Sequence, residues 1–386
     1  MKRSSVFHGC WSAVNALTFL ALCSSTCAQL AHAQTYTTLY SFGVGSSGYV
    51  PEAGVIRDSA GNLYGTTYAG GNYDVGTVYE LDTNGQFNLL YSFSGASGAY
   101  PAANLIEDSA GNIYGTTLGA LSGPGVIFKL DTATNQETTL NTFTRSDGAN
   151  PQSSLVRDSE GNLYGTTIFG GTSGYGVVFE LNTAGELTVL YNFTGGTDGG
   201  KPNGIIRLPN GDLIGTAATG GTSGYGVVFE LNTLGQESVL HNFTGGIDGA
   251  GPSSGVIGDS AGNLYGTTLN GGAAGFGIVF KLDTAGKETV LHSFAGGSDG
   301  AKPCGELVRD AAGNFYGATV QGGASNAGVI FTVGPTGEES VLYTFTGGAD
   351  GGNPLGGVIR DSAGNLYGTA STGGLNLWGA IFELEP

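Results

Sequence analysis

Charge is scarce in this chain, and cysteine scarcer. Asp, Glu, Lys and Arg make up 11% of the 386 residues, with four cysteines, four histidines, two tryptophans and one methionine. Lys and Arg number 13 against 31 acids, a formal charge of −18. With so few cations there is no basic face to hold a polyphosphate, which excludes a nucleic-acid binder. No apolar run reaches the roughly 20 residues of a membrane-spanning helix. What the chain has in excess is glycine, 73 residues, well over twice the roughly 7% of an average protein. Each interior glycine costs a helix about 1 kcal/mol against alanine, so a long-helix or coiled-coil protein is excluded. Disorder is excluded too, because hydrophobic residues are 40% of the chain and can build a large core.

The first 33 residues read as an export signal. Lys2 and Arg3 give a positive start, Ala13 to Leu22 an apolar stretch, and Ala31-His32-Ala33 a small-x-small cleavage pattern that leaves Gln34 as the new terminus. Leu22 before Cys23 argues against a lipoprotein. Cleavage removes Lys2, Arg3, Cys10, Cys23 and Cys27, leaving 11 basic residues against 31 acidic, or −20. Cys304 is then alone, so no intrachain disulfide can form. The expectation is a secreted, periplasmic or cell-surface protein, with residues 34–386 as one domain.

That domain is a repeat. Prolines recur at Pro51, Pro101, Pro151, Pro202, Pro252, Pro303 and Pro354, spaced by 50 or 51 residues. After each come four short apolar, β-branched runs, split by Gly, Asp, Asn and Pro, which read as antiparallel strands. In the first copy these are strand A (Gly54–Asp58), B (Leu63–Thr67), C (Gly76–Leu81) and D (Asn88–Phe93). The A–B link, with Gly61 in the left-handed position, fits a three-residue hairpin in which Asp58 caps the turn through its side chain. The last copy has A, B and C but no D. A D-like run, Thr37 to Phe42, stands instead at the start of the mature chain. The reading is all-β: a seven-bladed β-propeller closed by the N-terminal strand, which completes the last blade and removes the terminal edges of an open array.

Aligned copies show a charge pattern. One strand A position reads Arg57, Glu107, Arg157, Arg207, Gly258, Arg309, Arg360, and one strand C position reads Glu80, Lys129, Glu180, Glu230, Lys281, Thr332, Glu383. The signs oppose, and are swapped together in the second copy. Strands A and C flank B at roughly 9.5 Å, so an intrablade ion pair is expected over the strand B glycine (Gly65 and its equivalents). The alternative is a ring of arginines holding an anion in the central channel. The strand B tyrosines and D-strand phenylalanines read as packing between blades.

Signals for chemistry are few. His241 and His292 stand where other copies carry Tyr40, Tyr91, Tyr191 and Tyr343, and read as replaced tyrosines on outer strands. No zinc or calcium motif is present, so no cofactor is indicated, although a divalent metal on acidic loops stays open. Gly195 to Lys201 imitates a phosphate loop, but Pro202 and a strand follow, so it fails. Cys304 reads as a buried filler. The long B–C and D–A loops fall on one face by strand parity, and loops on a rigid scaffold carry function. D–A loops place Asp147, Asp198, Asp248, Asp299 and Asp350 beside glycine, and B–C loops place Tyr175, Tyr225, Phe276 and Trp378 before strand C. Aromatics beside carboxylates suit sugar binding, while turn-making and cleft-plugging are the plainer roles for the same residues.

The unit Gly61-Asn62-Leu63-Tyr64-Gly65-Thr66-Thr67, then a glycine pair, a Val-Phe-Glu-Leu strand and a Phe-Thr-Gly-Gly-x-Asp-Gly loop, closely resembles the GloVer tandem repeat along the whole mature chain. The resemblance implies an exported bacterial protein. Many members end in a surface anchor; this sequence stops at Pro386 without one. The hairpin is more loosely similar to NHL and streptogramin-lyase propellers, whose lyase chemistry implies a loop-face histidine that this chain lacks. The leading expectation is a monomeric, non-catalytic propeller binding an extracellular glycan or protein on its loop face. The alternative is a metal-assisted lyase or hydrolase using the loop aspartates.

Overall fold

A computed structural model describes residues 34–119 and 123–386; the export signal and its cleavage point lie outside the described residues. The strands form seven antiparallel sheets, each ordered A–B–C–D from the axis outwards. In blade 1 these are Ile56–Arg57, Leu63–Thr67, Thr77–Leu81 and Phe87–Ser92. Strand A is shorter here than the sequence suggested, but it lengthens in blades 4 (Gly200–Arg207) and 6 (Ala301–Arg309). The protein is a seven-bladed propeller.

Blade 7 joins the two ends of the chain. Thr35–Ser41 pairs with Ala380–Glu385, with Thr37 opposite Glu383 and Ser41 opposite Ala380. The Phe42 amide continues the ladder by donating to the Gly379 carbonyl at 2.9 Å. The N-terminal strand also slips register at Leu39, as the blade 1 D strand does at Leu90. It is a D strand in detail as well as in position.

The core lies between blades, as seven clusters that each draw on two neighbours. At every joint the D-strand phenylalanine of one blade meets the strand C aromatic of the next: Phe93 and Phe128 pack edge-on at 5.1 Å, and Phe42 and Tyr79 meet tilted at 5.2 Å across the closure. The strand B glycine makes room for that ring. A Cβ on Gly165 would stand 2.6 Å from Phe179, and Gly165 faces Phe179 in the ladder. The glycine therefore houses an aromatic ring rather than clearing a path for an ion pair.

The intrablade ion pair itself does not form. Tyr64 sits opposite Glu80, whereas Arg57 is opposite Leu63, so arginine and glutamate point to opposite faces of the blade. Among the described residues, the two cation–carboxylate contacts within 4.0 Å both involve histidine. Each arginine instead lies over the strand B tyrosine of the preceding blade: Arg57 over Tyr367 at 5.6 Å, Arg207 over Tyr164 at 5.3 Å, Arg360 over Tyr316 at 5.5 Å. Nor do these arginines line the channel. Where blade 4 replaces the tyrosine with Ile214, blade 5 replaces the arginine with Gly258. Both partners of one cation–π contact are lost together. Glu107 occupies the same place beside Tyr64, and burial, with the Asp58 and Asp108 charges, raises its pKa.

The A–B turn is capped as the sequence suggested. Asp58 accepts from the Gly61 and Asn62 amides at 2.7 and 2.8 Å, and Gly61 has φ of +100°. Desolvation works against the charged form of Asp259, the blade 5 equivalent, but hydrogen bonds from Asn263 and Tyr265 outweigh it and hold the group at about 2. A costlier feature precedes six of the seven repeat prolines, the seventh position being Gly251. Val50, Tyr100, Asn150, Lys201, Lys302 and Asn353 all have φ between 51° and 62°. Their amides reach back to the preceding blade, Lys201 donating to Tyr175 O and Val50 to Trp378 O, at 2.8 and 2.9 Å. A left-handed L-residue costs about 1–2 kcal/mol, and the interblade hydrogen bond holds it there.

Three outcomes follow from these joints. Glu107→Arg should stabilise the fold by about 0.5–1 kcal/mol through a new cation–π contact with Tyr64, and denaturant titration should show no coupling to Lys129→Glu. Val50→Asn should add about 1 kcal/mol by easing the left-handed strain; an unchanged midpoint would show the joint to be relaxed. The stability supplied by Asp259, whose pKa is depressed, is present above about pH 4, the unfolded value, and lost as pH falls towards 2. Thermal unfolding of Asp259→Asn over that window should show a shallower acid limb.

Candidate ligand-binding face

Among the described residues thirteen large hydrophobic side chains are exposed, and eleven lie on the B–C and D–A loops; the exceptions are Leu234 and Val341. One end of the ring is thus studded with apolar side chains, while the A–B and C–D turns at the other end carry one of the thirteen, Leu234. Exposed apolar groups gathered on one face mark interaction surfaces.

The rings named from sequence stand in this group, Tyr175, Tyr225, Phe276 and Trp378 being 39–49% exposed. Each of the first three lies on a glycine of its own blade's D–A loop. A Cβ on Gly195 (φ +74°) would come within 2.5 Å of the Tyr175 ring, and Gly245 and Gly296 stand likewise against Tyr225 and Phe276. Trp378 packs on Tyr49 at 4.9 Å. Blades 3, 4, 5 and 7 thus carry a ring, while Val75, Pro124 and Ala327 stand at this point in blades 1, 2 and 6. The rings form a crescent instead of a full circle.

The five aspartates are engaged by their own loops. Asp147 accepts from the Thr144 amide at 2.7 Å, Asp198 from the Thr194 amide at 2.7 Å, and Asp248 from the Thr244 amide at 2.8 Å. Asp299 accepts from the Ala295 amide at 2.7 Å and Asp350 from the Thr346 amide at 2.8 Å. Tyr191 and Tyr343 add hydroxyl donors to Asp198 and Asp350 at 3.1 and 3.0 Å. The structure places the rings on top of the loops and commits the carboxylates to closing them.

Sequence reasoning missed the channel mouth. A cavity of about 410 Å³ opens on the axis, lined by the residues after the repeat proline in all seven blades, among them Glu52, Asn104, Gln152, Asn203, Ser253 and Glu306. Burial raises the pKa of both Glu52 and Glu306, and Glu306 is the deeper. Among the described residues the lining holds no arginine or lysine. Cys304 is there as the expected filler: burial pushes its thiol up to about 12, and it donates to the Pro354 carbonyl at 3.2 Å. The signal was in the repeat. After each proline stand Glu52, Ala102, Gln152, Asn203, Ser253, Cys304 and Leu355, no two alike, within otherwise recurring text.

Solved structures share the architecture at low identity, which bears on the fold alone. The extracellular domain assigned to a one-component system of B. thetaiotaomicron superposes with a TM-score of 0.58 at 9% identity, covering 90% of this chain and 40% of that one. The chain thus spans well under half of that protein. The extracellular domain of a hybrid two-component system of B. thetaiotaomicron gives 0.57 at 14% identity, covering 91% and 41%. An oligogalacturonate lyase of Vibrio parahaemolyticus gives 0.58 at 11% identity, covering 91% and 93%. No curated protein matches in sequence. The Gloeobacter/Verrucomicrobia repeat model matches residues 24–209 and 201–386, and with its seven recurring blades the chain belongs to that repeat family.

Proposed function

We propose that this is an exported, non-catalytic propeller that holds an extracellular glycan across its loop face. The observation that carries the reading is the crescent of half-exposed rings beside a polar channel mouth. Flat rings stack on sugar faces, and the amides, hydroxyls and carboxyls of Asn104, Gln152, Asn203, Ser253, Glu52 and Glu306 match sugar hydroxyls. The lack of cations in that lining, and a negative overall charge, favour a neutral sugar over an acidic one. The solved structures that share this architecture include extracellular domains and an oligogalacturonate lyase, so the fold is compatible with a role outside the cell. The lyase or hydrolase alternative loses ground because, among the described residues, no two of the loop aspartates share a cluster of three or more metal-ligating groups.

A glycan array on residues 34–386, followed by calorimetry on the hits, tests this. Trp378→Ala and Tyr175→Ala should each weaken binding roughly tenfold, since one lost stacking contact is worth about 1–2 kcal/mol. The fold should be unchanged by circular dichroism, because these rings lie outside the interblade core. An array without hits, or hits indifferent to both substitutions, would sink the reading.

A further inference from the structure

The outer clefts between blades follow one plan. The fifth D-strand residue of one blade, with the aspartate of the following loop where there is one, faces the start of the next blade's D strand. Where the fifth residue is tyrosine, its hydroxyl supplies a proton: Tyr191 donates to Asp198 at 3.1 Å, and Tyr91 donates to Glu137 of the next blade at 3.2 Å. In the cleft between blades 4 and 5 that residue is His241, opposite Glu288. His241 Nε2 lies 4.0 Å from Glu288 Oε2, beyond hydrogen-bond reach, with both side chains more than four-fifths buried. His241 Nε2 and Glu288 Oε1 are buried atoms without a hydrogen-bond partner among the described residues. Buried polar atoms left unpaired each cost about 1–3 kcal/mol, so something of suitable chemistry is called for.

One ligand atom from each of His241, Asp248 and Glu288 lies within 4.8 Å of the other two. Bonds of about 2.0–2.2 Å from nitrogen or oxygen to a first-row ion place ligand atoms up to about 4.4 Å apart, so the cluster is nearly the size of a coordination sphere. Asp248 is oriented by the Thr244 amide and hydroxyl, which donate to it at 2.8 and 2.6 Å. Such outer contacts fix a ligating carboxylate. His241 is held edge-on against Phe243, ring centres 4.8 Å apart.

We infer that this cleft binds one divalent first-row transition ion, of the zinc or manganese type, through His241, Asp248 and Glu288. An imidazole with two carboxylates suits such ions, whereas calcium and magnesium favour all-oxygen sites. Two ligands come from blade 4 and its following loop and one from blade 5, so the ion staples two blades of a domain that holds a single cysteine. The next cleft repeats the residue types as His292, Asp299 and Glu339. There His292 Nε2 and Glu339 Oε1 are unpartnered as well, but His292 Nε2 stands 3.5 Å from Asp299 of its own loop, and the three side chains do not gather within 4.8 Å as those of the first cleft do. That cleft serves as the internal control.

Chelator-stripped protein is titrated with Zn²⁺ or Mn²⁺ alone, and with Ca²⁺ for contrast, by calorimetry and thermal unfolding. The expected result is one saturable equivalent of the transition ion, a raised unfolding midpoint, and no comparable effect of calcium. His241→Tyr installs the side chain that other blades carry there, so it should fold. It should weaken binding by more than about 100-fold, beyond the 10- to 100-fold of an outer-contact loss. Glu288→Gln, isosteric, should do the same if the tyrosine disturbs the cleft. His292→Tyr should retain the ion. Absence of stoichiometric binding, binding indifferent to both His241→Tyr and Glu288→Gln, or loss with His292→Tyr would each overturn the assignment.

Discussion

A ring of carbon atoms that fits only over a glycine sets the terms for the whole molecule. In each blade the strand C aromatic lies across the strand B glycine and meets the D-strand phenylalanine of the blade before it. These phenylalanines are fully buried or nearly so. The contact lies between blades, so no blade owns a complete core, and each gains its apolar burial from a neighbour on either side. A circle is the arrangement that gives every blade two neighbours. The pairing of Thr35–Ser41 with the C-terminal strand therefore follows from the packing: without it Phe42 could not reach Tyr79, and two aromatic faces would stand in water.

The same economy explains why so glycine-rich a chain is ordered. Glycine loses the most backbone entropy on folding, and these repeats recover that loss where the absent side chain admits something larger. On strand B the gain is an aromatic ring; in the D–A loops it is the loop-face rings of Tyr175, Tyr225 and Phe276. The residues before the prolines run the other way, since Val50 and Lys201 carry side chains in a conformation that favours glycine. Strain of that kind persists where the surroundings over-determine it, and here a hydrogen bond from the backbone amide to the preceding blade recurs at each joint.

Much of this was legible in the sequence. The proline spacing, the missing last strand and the D-like run at Thr37–Phe42 together required a closed ring, and the Asp58 turn could be drawn from Gly61 alone. The arginine contacts were misread for a definite reason. Seven aligned copies show which positions vary together but not whether the partner lies in the same blade or the next. Strand parity separates the two cases, placing Arg57 with Leu63 and Glu80 with Tyr64 on opposite faces. A trace of the true pairing was there to be read, in the joint loss of the tyrosine at Ile214 and the arginine at Gly258, one blade apart. The cleft at His241 was illegible, because its third member arrives from another blade across 47 residues of chain.

A ring built from one repeated contact also separates stability from recognition. The positions that close the joints are nearly uniform around the circle, for substituting one would leave a single weak gap in a closed structure. The positions that differ from blade to blade are the residue after each proline, the residue before strand C, and the D-strand position held by tyrosine or histidine. The residue after each proline and the residue before strand C stand clear of the aromatic lock, and the tyrosine or histidine only flanks it. They face the channel mouth, the loop face and the outer clefts, where a blade can change its side chain without disturbing its neighbours. Blade-to-blade irregularity in an otherwise regular ring is thus the internal record of where the surface is free to acquire chemistry.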